Sequence, residues 1–118
     1  MLIKVLRAKI HRATATKADP DYIGSITIDR ELMEAVGLVE GECVLVANLN
    51  NGTRHETYVI PGEPGGGEIC VNGAAARLVQ PSDRLIIMAF AYVSPEQAGP
   101  HRPKIVVVDE NNKPVEKR

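Results

Sequence analysis

The sequence predicts a mainly β protein: a small closed barrel of about six short strands with one or two short helices. Two observations lead there. Short runs rich in Val, Ile, Leu and Thr recur along the chain, each bounded by Gly, Pro, Asn or Asp. The 118 residues include no Trp, three Tyr and one Phe, so the core is aliphatic and modest in area. A chain of this length makes a single domain, 1–118.

Each element has its own local reason. Leu2 to Thr16 alternates imperfectly and reads as a long or bent strand, and Asp19-Pro20-Asp21 is a turn. A short strand follows Ser25. Asp29 then stands as a helix N-cap, Leu32, Met33 and Val36 fall at helical spacing, and Gly37 closes the helix as its C′ residue. Glu42 to Leu49 and Thr53 to Ile60 read as two strands of a hairpin joined by Asn50-Asn51-Gly52. Pro61 to Gly67 is a glycine-rich loop without the Gly-Lys-Ser/Thr ending that a phosphate loop needs. Glu68 to Asn72 and Arg84 to Tyr92 are further strands, with a small helical Ala74-Ala75-Ala76 between them. Lys104 to Val108 is a final apolar run, and the polar residues 109–118 read as a mobile tail.

Composition narrows the function classes. The formal charge of −1 provides no net basic field for nucleic acid. The early cluster Lys4, Arg7, Lys9, Arg12 and Lys17 suits a strand whose charges face solvent or a site, with a transit peptide or a nucleic-acid arm as alternatives. No 18-residue apolar run or signal-peptide core occurs, which makes a soluble, cytoplasmic protein without membrane contact the expectation. Cys43 and Cys70 lack C-x-x-C spacing and read as buried, inert thiols; His11, His55 and His101 show no ligand spacing, so no metal is expected. An aromatic-poor core gains from association with further copies, so an oligomer is expected; a monomer is the alternative.

The chemistry centres on Gly24-Ser25. A serine hydroxyl directly after a glycine can attack the carbonyl before it, and a residue without Cβ can take up the tight backbone that attack requires. An ordinary turn serine is the bland alternative. Arg54 and Tyr58 share one face of a strand while Thr57 points to the other side. The pair lies about 13 Å apart at ~3.3 Å per residue, so only a long guanidinium brings both onto one small molecule. Lys9 and His11 likewise share a face.

Several separated blocks carry a resemblance. Lys9-Ile10-His11-Arg12-Ala13-Thr14, Tyr22-Ile23-Gly24-Ser25-Ile26-Thr27-Ile28-Asp29, Asn51-Gly52-Thr53-Arg54, Thr57-Tyr58 and Val71-Asn72-Gly73-Ala74-Ala75-Ala76 stand in order over roughly residues 1 to 92. Together they closely resemble the aspartate 1-decarboxylases, pyruvoyl-dependent enzymes made as inactive proenzymes. The resemblance implies a six-stranded double-psi β-barrel. It implies autocatalytic cleavage into a β chain 1–24 and an α chain 25–118, with Ser25 becoming the pyruvoyl group and Thr57 assisting. No metal and no pyridoxal phosphate would be needed. That carbonyl would form a Schiff base with L-aspartate, whose α-carboxylate leaves as CO2 to give β-alanine for pantothenate and coenzyme A synthesis.

The same resemblance gives Arg54 the retained carboxylate, suited to a bidentate guanidinium. It makes Tyr58 the proton donor, a role open to a phenol that is protonated near neutral pH. Asn72, Gly73, Ala74 and Ala75 would form the substrate-binding turn, and Thr57 would line the same space. Lys9 would add positive charge there, with a plain surface lysine as the alternative; His11 and Tyr22 would be neighbours. The family forms homotetramers with active sites between neighbouring subunits, and an accessory maturation factor is a further potential partner. Two positions depart from the pattern. Ile23 stands where many members carry an acidic residue, and Pro64-Gly65-Gly66 replaces an arginine-containing turn. A non-catalytic double-psi barrel serving as an interaction module is the rival expectation; it has no use for a self-cleaving serine.

Overall fold

Alternation sets the strands and two backbone irregularities bend the first of them. In the computed structural model, which describes residues 1–118, β1 (Ile3–Thr14) pairs antiparallel with β7 (Arg84–Val93). Register shifts at Leu6/Ala8 and His11/Ala13 interrupt this ladder, the second beside Arg12 with its positive φ of 66°. Bulges of this kind increase local twist and curve a sheet. The other strands are β2 (Lys17–Asp19), β3 (Ser25–Asp29), β4 (Cys43–Asn48), β5 (Arg54–Gly62), β6 (Ile69–Asn72), β8 (Lys104–Val108) and β9 (Pro114–Lys117). They form one nine-stranded sheet in the order β2-β6-β3-β5-β4-β7-β1-β8-β9.

Nine strands rather than about six have a simple origin. β2 continues β1 after only Ala15-Thr16, and β8 and β9 are added on the outer edge of β1. Setting those three aside leaves β1, β3, β4, β5, β6 and β7. The chain itself draws the two ends of this set together: the Thr16 N–H donates to the Ile69 carbonyl at 2.8 Å, while the β1 part of the same run lies against β7. The enclosed core is aliphatic, led by Ile10, Ile26, Ile28, Val44, Val46, Val59, Ile69, Val71, Leu85 and Ile87, all essentially inaccessible. Burying each such side chain contributes about 1.5–3 kcal/mol before the opposing entropy.

The hairpin and the first helix follow the local signals. β4 pairs antiparallel with β5 from Cys43↔Tyr58 to Ala47↔Arg54. Helix α1 (Arg30–Val36) starts at Asp29, whose carboxylate accepts the Glu31 N–H, and ends at Gly37 with φ 77°. Asp29 does more than cap. It is buried, and its two oxygens also accept the N–H groups of Gly65 and Gly67, tying the glycine-rich loop to the start of the helix.

Two expectations need correction. Cys43 is exposed, because Val44 and Val46 take the inward positions of β4 and leave Cys43 outward beside Glu56; only Cys70 is buried, and both thiols are free. Residues 109–118, read as a mobile tail, are built into the sheet. A turn over Asp109–Lys113 leads into β9, which pairs with β8. Within that turn the buried Asn112 accepts from the Thr14 N–H and donates to the carbonyls of Thr14 and Gly67, so these bonds and the β8–β9 ladder, rather than apolar burial, hold the segment.

Candidate active site

β3 begins at Ser25 and runs between β5 and β6. Against β6 the register is antiparallel, with Ser25 opposite Asn72 and Thr27 opposite Cys70. Alternation puts these four side chains on one face of the strand pair. The Asn72 amide nitrogen donates to Ser25 Oγ at 3.0 Å and to Thr27 Oγ1 at 3.2 Å, and the Cys70 thiol donates to Asn72 Oδ1 at 3.1 Å. Ser25, Cys70 and Asn72 are all buried. Burial, with Glu68 nearby, raises the Cys70 thiol above its usual 9.0, so it stays protonated near neutral pH.

Gly24 lies against the turn that follows β6. Gly73 opens the 3-10 helix Gly73–Leu78 with a positive φ of 75°. A Cβ placed on Gly73 would stand 2.7 Å from Gly24 Cα and 2.9 Å from Gly24 N. Left-handed backbone and close approach therefore meet at Gly73. Gly24, expected to carry the unusual conformation, has no positive φ, and a Cβ on it would meet nothing within 4 Å. Ala74 is exposed and Ala75 half-buried on the same short helix. A cavity of about 210 Å³ is lined by Lys17, Asp19, Tyr22, Thr27, Glu68, Cys70 and Asn72.

The β5 side supplies Tyr58 through register. Ile26 of β3 pairs in parallel with Val59, and both face the core. Ser25 and Tyr58, each one residue earlier, therefore both face the other way. Arg54, Glu56 and Tyr58 are the exposed positions of β5, which confirms the shared face of Arg54 and Tyr58. Thr57 is half-buried opposite Val44, two residues before Val59 as Gly24 is two before Ile26.

Lys9 and His11 stand elsewhere. They line a different cavity of about 200 Å³ with Ile105, Val107, Glu116 and Arg118, and in strand order β7, β4 and β5 separate β1 from β3. Burial first, then the charges of Lys9, Arg12, Arg118 and Arg84, lowers the His11 pKa below its usual 6.5. One chain thus brings together Ser25, Gly24, Asn72, Gly73 and Tyr58 and leaves Lys9 apart. Sequence reasoning missed Cys70 and Thr27 as members of the site; the period-2 spacing of Cys70 with Asn72 and of Thr27 with Ser25 was the available signal. No cluster of three or more His, Cys, Asp or Glu is placed to hold a metal, and no helix is long and apolar enough to cross a membrane.

A rationally designed double-psi β-barrel protein has the same fold, with a TM-score of 0.50 at 17% identity, covering 80% of this chain and 100% of that one. Fold and site together define a small double-psi barrel built around a buried serine that directly follows a glycine. A model of the aspartate decarboxylase family matches residues 1–115, and the chain belongs to that family. It is 63% identical to the aspartate 1-decarboxylase of Caldicellulosiruptor saccharolyticus, covering 96% of this chain and 88% of that protein. It is 54% identical to the aspartate 1-decarboxylase of Bacillus cereus strain G9842, covering 98% and 91%.

Proposed function

We propose that this protein decarboxylates L-aspartate to β-alanine and CO2, supplying a precursor of pantothenate and coenzyme A, after Ser25 opens the Gly24–Ser25 bond to leave a pyruvoyl group on residues 25–118. The observation that carries this is the placement of a buried serine hydroxyl under one amide donor, beside a Gly24 backbone that Gly73 can approach closely because it lacks a Cβ. Such a donor stabilises charge on Oγ as its proton leaves. Oγ bonds to the Gly24 carbonyl carbon, the proton passes to the Ser25 nitrogen and the C–N bond breaks, turning the amide into an ester with a free Ser25 amine. Loss of the Ser25 Cα proton then breaks the Cβ–Oγ bond, releasing Gly24 as a carboxylate. The dehydroalanine left at 25 takes up water and loses ammonia to become a ketone. Thr57, half-buried next to this segment, supports the first step.

The pyruvoyl carbonyl supplies the electron sink for decarboxylation, and neither a metal nor pyridoxal phosphate is required. The protein's own groups do the rest. Arg54 grips the carboxylate that is retained, through a fork matched to two oxygens. Tyr58, on the Ser25 side of β5, holds a proton at its phenol oxygen for return to the substrate carbon. Asn72, Gly73, Ala74 and Ala75 form the wall on the other side. Lys9 joins only through association of chains, in keeping with a homotetramer whose sites lie between neighbours; Leu2, Ile3, Tyr58 and Tyr92 are exposed on the single chain.

Intact mass and a denaturing gel test the reading together with CO2 release. Two fragments are expected, the larger without a free N-terminal amine, and Ser25→Ala is expected to stay whole and inactive. Release of CO2 from aspartate by Ser25→Ala would overturn it.

A further inference from the structure

The two ends of the Asn72 amide differ chemically, and a neighbouring residue decides which end meets Ser25. The hydroxyls of Ser25 and Thr27 donate and accept with equal ease, so either end of the amide would satisfy them. A thiol is different: its sulfur is a poor acceptor for an amide N–H, and here it meets the amide through its S–H. We propose that Cys70 is a positioning residue for the chemistry at Ser25, its S–H holding Asn72 Oδ1 so that the amide nitrogen faces Ser25 Oγ. This rests on the reading that Ser25 attacks the Gly24 carbonyl.

Three features support the role. Cys70 and Asn72 are alternate residues of β6, so a rigid strand sets their separation, and the Sγ to Oδ1 distance is 3.1 Å. Their cross-strand partners on β3 are Thr27 and Ser25, which makes a closed group of four side chains on one face. Burial keeps the thiol protonated and therefore a donor. With the amide reversed, Oδ1 would face Ser25. It would accept the hydroxyl proton and set a partial negative charge against the oxygen that must become anionic. Attack would then be opposed instead of assisted.

Cys70→Ala removes the donor without adding bulk, and Cys70→Ser installs a hydroxyl that satisfies either end of the amide and so no longer selects one. Loss of one hydrogen bond corresponds to a roughly three- to ten-fold slower appearance of the two fragments in Cys70→Ala, with Cys70→Ser also slower than the unaltered chain. Equal fragment rates in Cys70→Ala and the unaltered chain would overturn the proposal, as would a Cys70→Ser that cuts as fast as the unaltered chain. The side-chain amide resonances of Asn72 in the uncut protein provide a readout independent of cleavage. They are expected to move in Cys70→Ala and in Cys70→Ser; resonances unmoved by Cys70→Ala also sink the idea. A chain that never cuts removes the proposed function, while these resonances still decide the role of Cys70.

Discussion

Gly73 sits against Gly24 so closely that a single added carbon would fall 2.7 Å from the Gly24 Cα. The residue that opens the short helix thus packs this closely against Gly24 only because it carries no Cβ. Replacing Gly73 by alanine meets both that contact and a φ of 75°. The left-handed backbone alone costs roughly 1–2 kcal/mol. Gly73→Ala is expected to melt lower and to produce little or no fragmentation over times that cut the unaltered chain, as read by thermal unfolding and a gel time course. Gly24→Ala meets no neighbour at its Cβ and is expected to fold normally.

Arg54 and Tyr58 share a face but have separable roles. Arg54→Ala is expected to cleave normally and to raise the KM for aspartate roughly 10- to 150-fold, the loss of a hydrogen bond to a charged group. Tyr58→Phe is expected to keep KM near its original value and to lower kcat by roughly 10²–10⁴. Steady-state CO2 release on fully cut protein separates the two; a Tyr58→Phe with unchanged kcat removes the phenol from the reaction.

Asp29 joins three backbone donors, those of Glu31, Gly65 and Gly67. Alanine there loses the helix cap and strands two loop N–H groups, together about 2–4 kcal/mol. Asn at the same position keeps one oxygen but turns an amide donor toward another N–H, so it is expected to destabilise as well. Urea unfolding of Asp29→Ala and Asp29→Asn checks both; a midpoint unchanged in Asp29→Asn would refute the shared carboxylate.

His55 provides a pH dependence. Its Nε2 is buried without a partner, and burial lowers its pKa below the usual 6.5. The unfolded chain therefore binds this proton at higher pH than the folded one. Stability is full above pH 6.5, declines as pH falls from there, and levels off below the folded pKa. His11 acts in the same direction. His55→Gln is expected to flatten the slope of unfolding free energy between about pH 5 and 7. An unchanged slope would show that His55 titrates alike in both states.

Much of this protein is visible in short stretches of its chain. The Asp29 cap, the Gly37 terminator and the Asn50-Asn51-Gly52 turn all rest on contacts within a few residues, and all three hold. Arg54 and Tyr58 share a face because alternation is a property of any strand. Where local rules had no grip, expectation and structure part. Cys43 is as apolar in context as Cys70, yet the register with Tyr58 turns it outward. The polar end of the chain looked free because few apolar residues anchor it. Asn112 anchors it instead, through bonds to residues 98 and 45 positions away in sequence.

The amino-acid order alone determined the β class, the family blocks and the serine set after its glycine, since each depends on neighbours along the chain. Only the folded arrangement decided that Gly73 rather than Gly24 takes the left-handed backbone, that Cys70 reaches Ser25 through Asn72, and that Lys9 lines a separate cavity. Those facts depend on which strands pair and in what register, and Ser25 and Asn72, 47 residues apart, meet only when β3 and β6 do.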